Sequence, residues 1–440
     1  MSARHDAKAT KFRRQPVARH GALSSPHPLR QVFTILAAVV AVVLVSTAAI
    51  GGFYVWDAAR SLSDNGVSIG DEDKPLPPHI GEIEGGVNML IVGTDSCEGQ
   101  DLKLFPRCAH DKGGERNDVT MLVHISDAPR RVTVVSFPRD MIVPIPSCKN
   151  PEGGSYSAMS AQMINASYGY GGLGCTVATV ESLTGVDIQF AGAIRWTGVI
   201  NMSDAIGGVD VCLSADINDR HTGLHLKKGE QNLVGAQALQ FLRIRHGIGD
   251  GSDLGRISNQ QQFMSSLVRK LQSGAVLSDY PALLNLANTA VRQVNEKQLV
   301  LSESLANPQR MVQIAMAVAD VPYKDIVFVQ YPTVYAPGGG RVLPVTSAAD
   351  VLFTALSENK PIRVTGEASG GNGVEVVGEA GEPGGSKPTQ TPEATGEASG
   401  EATPGATDAP GSGEEAGTVD LPSQITGQSA NEVTCTVAQQ

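Results

Sequence analysis

An uncharged apolar run, Val32–Val55, restricts this chain more than any other part of its sequence. At about 1.5 Å per residue, a helix over this run would be about 36 Å long, enough to cross a hydrocarbon core of about 30 Å. The apolar region of a cleaved signal peptide is usually about 7–15 residues long, so the pattern favours an uncleaved anchor over 32–55. Basic residues dominate before the run and predict a cytoplasmic N-terminus with the rest of the chain outside the cell membrane. Against Asp6 they are Arg4, Lys8, Lys11, Arg13, Arg14, Arg19 and Arg30.

The cysteine content fits this extracytoplasmic placement. All six cysteines follow the predicted anchor, and their spacing matches no zinc-binding pattern. Disulfides are therefore expected, although six cysteines allow many pairings and the sequence does not choose among them. Proximity favours Cys97–Cys108, and Cys148–Cys175 with Cys212–Cys435 is a hypothesis for the other four.

Composition divides the chain after the anchor. Residues 56–86 contain "KPLPP" and several acids, which is typical of a stalk. A folded domain is expected over 87–365. From Glu367 onward there are 12 acidic residues against one lysine, which equals the formal net charge of −11 for the whole chain. This low-complexity segment, 366–440, is predicted to be disordered, except that its last residues, "VDLPSQITGQSANEVTCTVAQQ", regain apolar content and would dock on the domain if Cys435 is bonded. Residues 1–31 form a basic tail at the other end of the chain. The mildly acidic domain between them carries no basic stripe of the kind that nucleic acid requires.

Strand-like and helix-like segments alternate within the domain. Short β-branched runs bounded by turn residues predict strands, and longer runs with apolar residues at helical spacing predict helices. The alternation predicts an α/β fold, a three-layer α/β/α sandwich with a mixed central sheet. The predicted strands are "VNMLIVG", "VTMLVHI", "RVTVVSF", "IQFAGAI", "GVDVCL" and "DIVFVQY"; the predicted helices are "SAMSAQMINASYGY", "TVATVESLTG", "WTGVINMSDAIGG" and "DLGRISNQQQFMSSLVRKLQSG".

The sequence gives little indication of the common catalytic motifs. Gly169–Gly174, "GYGGLG", matches a dinucleotide-binding pattern, but the segment before it reads as a helix, whereas that site requires a strand. The chain has no GxSxG, HExxH or P-loop sequence, and its histidines are scattered. Nucleophile–histidine and histidine–metal chemistry are therefore not favoured.

Charged residues instead collect at predicted strand ends. Asp95 follows one strand, Arg116 and Asp118 precede the next, and Arg139 and Asp140 follow a third. Arg243 and Arg245 lie two apart in "LQFLRIRHG", where a strand would point both to one face, a costly arrangement unless an anion lies over them. Guanidinium groups bind phosphate oxygens in pairs, and two carboxylates with open positions suit Mg²⁺. The combination indicates phosphoryl transfer. Arg139 is expected to reach the phosphates, and Asp140 to turn back onto the loop or a neighbouring arginine, because neighbours on an extended chain point in opposite directions.

Several of these segments, in this order, resemble the LytR–CpsA–Psr family of bacterial cell-wall enzymes. They are "LIVGTDS", "ERNDVTMLVHI", "VVSFPRDMIVPIP", "INASYGYGG", "AIGGVDVCL", "GAQALQFLRIRHG" and "DLGRISNQQQFM". The resemblance implies an extracytoplasmic α/β sandwich that uses Mg²⁺ to transfer a glycopolymer from a polyprenyl-pyrophosphate carrier to peptidoglycan, forming a phosphodiester. It further implies metal binding by Asp95 and Asp118, pyrophosphate binding by Arg116, Arg139, Arg243 and Arg245, and a site mouth formed by Asp253, Arg256 and Gln260.

This chain also departs from the family pattern. Asn117 stands where Ser is frequent, Met163 where Lys is frequent, and Asn259 where Arg is frequent. The loop between Asp95 and Arg116 is long and carries Cys97 and Cys108. These differences concern contacts to the headgroup or polymer rather than the metal and phosphate centre.

The resulting hypothesis is a membrane-anchored phosphotransferase whose partners are a lipid-linked glycan and peptidoglycan. Two alternatives remain open: a polyprenyl-pyrophosphate phosphatase with water as acceptor, and a lipid-glycan binding or regulatory protein without turnover. The lipid requires a long apolar slot, which "QMINASY", "WTGVINM" and "FMSSLVRKL" could line, but ordinary core packing is the expectation for most of those residues.

Overall fold

A computed structural model describes residues 28–70, 76–77, 79–83, 85–111, 113–150, 153–274, 279–381 and 417–439. The chain divides into two compact units, Met1–Asp57 and Ala58–Gln440. In the first unit, the described residues belong to helix α1, which begins at Pro28, and the side chains of residues 31–57 are exposed. The helix as a whole, Pro28–Asp64, is long and apolar enough to cross a membrane, in agreement with the predicted anchor. Its orientation in a membrane remains a prediction.

The second unit contains the remaining helices and all the strands of the described part of the chain. The helices are α2 Ala166–Thr184, α3 Trp196–Ala205, α4 Ala236–Arg243, α5 Asp253–Gln272, α6 Tyr280–Asn295, α7 Pro308–Ala319 and α8 Thr346–Ser357. The strands are β1 Val87–Thr94, β2 Asn117–Ile125, β3 Val132–Ser136, β4 Ile142–Ile145, β5 Cys148–Lys149, β6 Ser155–Tyr156, β7 Met159–Met163, β8 Phe190–Ile194, β9 Val209–Leu213, β10 Ile217–Asp219, β11 Leu224–Leu226, β12 Gly229–Leu233, β13 Leu299–Leu301, β14 Ile326–Gln330, β15 Thr333–Tyr335, β16 Val342–Pro344, β17 Ile362–Arg363, β18 Val374–Glu379, β19 Val419–Asp420, β20 Gly427–Ser429 and β21 Glu432–Thr436.

The central sheet is mixed, as predicted. Its order is β13-β8-β1-β2-β3-β14-β20, with β1/β8 and β3/β14 parallel and the other pairs antiparallel. Successive residues of β2 bury opposite faces, because Leu122 packs with α2 and α8 whereas Met121 and Val123 pack with α5, α6 and α7. Helices therefore cover both faces, and the predicted α/β/α sandwich is confirmed.

A second sheet was not anticipated. It has the order β12-β9-β21-β18 and contains "GVDVCL" as β9, so this strand does not belong to the central sheet. The partner strands β18 and β21 come from the acidic segment after residue 365. The prediction of disorder is therefore wrong for the described residues 366–381, where strand pairing and burial of Val374 offset the ordering entropy. The docking expected of the last residues with Cys435 bonded is confirmed. Residues 382–416 lie outside the described part of the chain, as do residues 1–27 of the basic tail.

Two local predictions and the stalk also need correction. Met159–Met163 is strand β7, paired with β4, so the predicted helix over "SAMSAQMINASYGY" holds only from Ala166. Arg243 ends helix α4 instead of lying on a strand. Described parts of the predicted stalk pack on the domain: Leu62, Ile80 and Ile83 are buried in its core.

The three disulfides are Cys97–Cys108, Cys148–Cys175 and Cys212–Cys435. All three proposed pairings are thus confirmed. Cys212–Cys435 joins β9 to β21 across a sequence separation of 223 residues. Beside it, buried Asn259 accepts a hydrogen bond from Thr436 Oγ1 at 2.6 Å and donates to Phe241 O at 2.9 Å. Asn259, which departs from the family pattern, therefore connects α5 to the C-terminal strand β21 by a hydrogen bond.

Buried His124 on β2 predicts acid sensitivity of the fold. Burial lowers its pKa from 6.5 to about 4, so the folded protein disfavours the protonated imidazole. The unfolded chain therefore binds the proton first, and stability that is complete above pH 6.5 should fall by about 3 kcal/mol as the pH drops to about 4. Chemical denaturation across this range measures the effect. His124→Gln should flatten the slope and the exposed His225→Gln should not; equal slopes in wild type and His124→Gln would contradict the assignment.

Candidate active site

The two predicted metal carboxylates lie at one edge of the central sheet. Strands β1 and β2 are antiparallel, with Thr94 opposite Asn117, so the end of one meets the start of the other. Asp95 follows β1 and accepts a hydrogen bond on Oδ1 from Arg116 N at 2.7 Å. Burial raises the pKa of the Asp95 carboxyl, and the charge of Asp118 raises it further, against the opposing hydrogen bond from Arg116. The raised pKa is due mainly to burial, with a smaller contribution from the charge of Asp118, and a bound cation would favour the ionised form of both carboxylates.

Asn117 holds the start of β2 against α2. It is fully buried; its Nδ2 donates to Thr120 Oγ1 at 2.8 Å, and its Oδ1 accepts from Tyr168 N at 3.2 Å. This position, where the family frequently has Ser, is occupied here by a buried amide that connects β2 to α2.

Arg139 is the centre of an ion-pair network at the end of β3. Its Nη1 donates to Asp118 Oδ1 at 2.8 Å, and its Nε lies 3.7 Å from both Asp140 Oδ1 and Asp253 Oδ1. Burial alone would lower the pKa of this guanidinium, but Asp118 and Asp253 more than offset it and raise the pKa. Burial and the charge of Asp253 raise the pKa of Asp140. Asp140 lies close to its neighbour Arg139, as predicted, although residues 139 and 140 form a turn and not the extended chain on which the prediction rested.

Helix α5 contributes the predicted mouth residues. Ser252 caps the helix by accepting from Gly255 N at 3.2 Å, and Asp253 then pairs with Arg256 at 2.6 Å. Arg256 is buried and also donates to Asp118 O at 3.0 Å. Gln260, one turn later, donates to Leu242 O at 2.9 Å. These contacts connect α5, β2 and the end of α4 into one rigid rim.

Arg243 differs from these paired arginines. Its guanidinium carbon lies 4.2 Å from the ring centroid of Trp196, a cation–π contact. Burial lowers its pKa, as does the nearby charge of Arg107. Arg245 donates from Nε to Gly251 O at 3.0 Å. Arg243 and Arg245 therefore reach the site from the end of helix α4 and the residues that follow it, and not from one face of a strand.

A cavity of about 640 Å³ opens among these residues. Asp118, Arg139, Arg243, Arg245, Arg256 and Gln260 line its polar end, whereas Asp95, Arg116 and Asp253 are not among the lining residues. Most of the other lining side chains are apolar: Ile91, Val119, Met121, Ile194, Val199, Met202, Ile206, Leu239, Leu242, Phe263, Met264, Leu267, Leu271 and Leu286. The remaining lining residues are Gly93, Thr94, Arg107, Trp196, Ser203, His221, Thr222 and His246.

The cavity changes the interpretation of two helices. "WTGVINM" and "FMSSLVRKL" contribute Trp196, Val199, Met202, Phe263, Met264 and Leu267 to its wall, as the lipid slot would require. Phe263 also belongs to a core cluster against which Met264 and Leu267 pack, so the expectation of core packing holds for these three. "QMINASY" contributes no lining residue. Sequence reasoning also missed Arg107, His221 and His246, which line the cavity. The one signal for Arg107 was its place in the long cysteine-bearing loop.

Comparisons with known proteins identify a family and several relatives of this chain. The LytR_cpsA_psr family model matches residues 59–343. Corynebacterium glutamicum cell wall biosynthesis protein LcpA is 28% identical over 235 residues, covering 48% of this chain and 45% of that protein. Polyisoprenyl-teichoic acid–peptidoglycan teichoic acid transferase TagU of Bacillus mycoides is 30% identical over 233 residues, covering 53% and 65%. The matched part of this chain thus spans about half the length of LcpA and under two thirds of this TagU.

Solved structures similar to this chain include the LytR-Csp2A-Psr enzyme from Actinomyces oris, with 20% identity, a TM-score of 0.45, and coverage of 67% of this chain and 96% of that one. TagT bound to LIIa-WTA has 19% identity, a TM-score of 0.47 and the same two coverages. Because the family model matches well over half of the sequence, the chain belongs to the LytR_cpsA_psr family.

Proposed function

We propose that this protein is a membrane-anchored phosphotransferase that moves a glycopolymer from a polyprenyl-pyrophosphate carrier to peptidoglycan. The observation that carries the proposal is a single cavity whose apolar wall ends in a cluster of arginines. An amphiphile with a long apolar chain and a multiply charged head matches both parts. The printed names of relatives, including a teichoic acid transferase acting with a polyisoprenyl substrate, support the same class.

The apolar wall would hold the lipid. Its volume of about 640 Å³ falls within the usual range for small-molecule sites, about 300–1,000 Å³. Each Å² of apolar lipid surface removed from water contributes about 25 cal/mol, so even part of a polyprenyl chain anchors strongly. This binding would fix the position of the pyrophosphate at the charged end, where geometry governs the reaction rate.

Arginines would hold the pyrophosphate. Arg243 has no carboxylate oxygen within 4.0 Å in the part of the chain that the structure describes, so its charge is available to an anion. Arg139 is already bound by carboxylates and would rotate or share its donors when phosphate arrives. Charge builds on phosphate oxygens as the transferred group moves, and such preorganised donors stabilise it.

The reaction exchanges one phosphate ester partner for another. An acceptor hydroxyl on peptidoglycan attacks the glycan-bearing phosphorus, forming a new O–P bond as the bridging P–O bond to the lipid phosphate breaks. Polyprenyl phosphate leaves with the electron pair. The hydroxyl proton passes to that leaving phosphate or to a carboxylate of the Asp95–Asp118 pair.

Asp95 and Asp118 would hold Mg²⁺. Both are oxygen donors, and the charge of Asp118 adds to the effect of burial in raising the pKa of Asp95, a cost that a cation would reduce. No group of three or more His, Cys, Asp or Glu side chains suited to a metal occurs among the described residues, so the remaining positions would belong to water and substrate phosphate. When bound, the cation would neutralise charge on the phosphate oxygens.

Asp95→Asn tests this assignment. Loss of one carboxylate should raise the Mg²⁺ concentration for half-maximal transfer by at least about tenfold. Because the folded pKa of Asp95 is raised, its ionised form costs stability at neutral pH, so the variant should also unfold less readily at pH 7 and lose that advantage at low pH. Metal titration of transfer and denaturation at two pH values measure both effects. An unchanged Mg²⁺ requirement would remove Asp95 from the metal site.

The decisive experiment separates transfer from its alternatives. Full-length protein in lipid nanodiscs is mixed with phosphorus-labelled, lipid-linked glycan and Mg²⁺, with and without peptidoglycan. Label in peptidoglycan supports the transferase, release only to water indicates a phosphatase, and retention without turnover indicates a binding protein. Protease added outside intact cells should cleave the domain and spare the N-terminus if the orientation is as proposed.

A further inference from the structure

The loop closed by Cys97–Cys108 brings an additional arginine to the cavity. The disulfide joins cysteines 11 residues apart, and a short 3₁₀ helix, Pro106–Ala109, ends the loop. Arg107 lies on this turn, with its guanidinium carbon 5.4 Å from the ring centroid of Trp196. Arg243 contacts the same indole at 4.2 Å. Two arginines from distant parts of the chain therefore share one aromatic ring at the charged end of the cavity.

The charges of Asp118 and Asp95 act on Arg243 from a distance, but neither arginine forms an ion pair with a described residue. In the described ranges, no carboxylate oxygen lies within 4.0 Å of the guanidinium nitrogens of Arg107 or Arg243. By contrast, Arg195 is paired with both Glu98 and Glu115. Two like charges near one ring cost free energy, and an anion bound by both removes that cost.

The loop is held in place rather than resting loosely on the surface. Buried Gln100 accepts hydrogen bonds from Thr197 N at 3.1 Å and Thr197 Oγ1 at 2.7 Å, and donates to Gln298 at 3.0 Å. Phe105 packs on Trp196 with ring centroids 4.8 Å apart. Glu98 pairs with Arg195, directly before α3. The loop thus docks on the start of α3 and presents Arg107 in a defined position.

We propose that Arg107 binds the substrate pyrophosphate together with Arg243, across the indole of Trp196, and that the Cys97–Cys108 disulfide holds it there. The proposal rests on the proposed function and adds a phosphate ligand from the long loop. Arg107 is then a binding residue, and the disulfide positions it.

Trp196 offers a direct readout of this site. The chain has two tryptophans, so Trp56→Phe leaves Trp196 as the sole emitter in the full-length protein. In that background, farnesyl pyrophosphate is titrated against protein in detergent, with farnesyl monophosphate as the comparison. Arg107→Ala should weaken pyrophosphate binding about tenfold, because a charge-assisted contact is lost, and should affect the monophosphate less. Arg107→Lys should restore part of the affinity.

Lys103→Ala is the matched control, since Lys103 is an exposed cation in the same loop and does not line the cavity. Its affinity should stay within about twofold of wild type, as expected for an exposed charge. Equal losses for Lys103→Ala and Arg107→Ala would show general attraction by a basic loop and overturn the proposal. So would an unchanged affinity in Arg107→Ala.

A double variant tests the disulfide. Cys97→Ser with Cys108→Ser should lower affinity to the level of Arg107→Ala, and adding Arg107→Ala to it should cause no further loss. Additive losses would overturn the positioning role. If wild type transfers glycan but Arg107→Ala binds and transfers equally well, only this inference fails. If wild type does not bind the pyrophosphate, the proposed function fails and this inference with it.

Discussion

Replacing Arg243 with Ala is expected to lower glycopolymer transfer by about 10³-fold, the usual effect of removing an arginine that stabilises transferred phosphate. The free energy of unfolding should change by less than about 1 kcal/mol, because the lost contact is a cation–π interaction and not a paired charge. Removal of a positive charge from beside Arg107 also relieves repulsion, which offsets part of that loss. Transfer rate and denaturation of the same preparation provide the two measurements.

Two further variants make the result specific. Arg341→Ala removes an exposed arginine from the β15–β16 connection and should leave both rate and stability unchanged. Arg139→Ala should reduce transfer and also destabilise the fold, since Asp118, Asp140 and Asp253 would lose their shared partner. A destabilisation by Arg243→Ala as large as that by Arg139→Ala would make Arg243 a structural residue.

Removing the Cys212–Cys435 disulfide is expected to be the most destabilising of the stability changes considered. The bond closes a separation of 223 residues and, in the chain-entropy description, contributes about 5 kcal/mol. It also holds β21 beside β9, where Gln262 Nε2 donates to Cys212 O at 2.8 Å and Thr434 O at 2.6 Å. Substitution of both cysteines by Ala, followed by denaturation, measures the loss.

The Cys97–Cys108 bond provides the comparison for that measurement. Its separation of 11 residues predicts a smaller contribution of about 3 kcal/mol. Loss of Cys212–Cys435 should also increase hydrogen exchange in β18 and β21, whereas loss of Cys97–Cys108 should not. If the two double variants are equally stable, the C-terminal strands do not depend on the long-range bond.

The sheet was predictable where local pattern and burial agree. Runs such as "VTMLVHI" and "DIVFVQY" are β-branched, short and buried on both faces, and each became a strand of the central sheet. The strand predicted over "LQFLRIRHG" is wrong. It rested on the apolar Leu242 and Ile244, which alternate with charged residues over too short a stretch to distinguish a strand from the end of a helix. The preceding Ala236–Phe241 favours a helix, whose buried face includes Ala238 and Phe241.

The C-terminal strands illustrate a different difficulty. Val374–Glu379 lies in a low-complexity segment that by itself cannot bury enough apolar surface to fold. It becomes a strand because β21 pairs with it and is itself bonded to β9, far away in sequence. No pattern within Val374–Glu379 itself predicts pairing with β21.

The sequence by itself determined the apolar anchor, the class of fold and most of the charged residues of the candidate site, because apolar periodicity and strand ends are local properties of a chain. Only the tertiary structure decided that Val199, Met202 and Met264 face a cavity, since a residue lining a cavity and one filling a core follow the same apolar pattern. It alone placed Arg107 beside Arg243, because the approach of a disulfide-closed loop to the end of a distant helix depends on packing between elements.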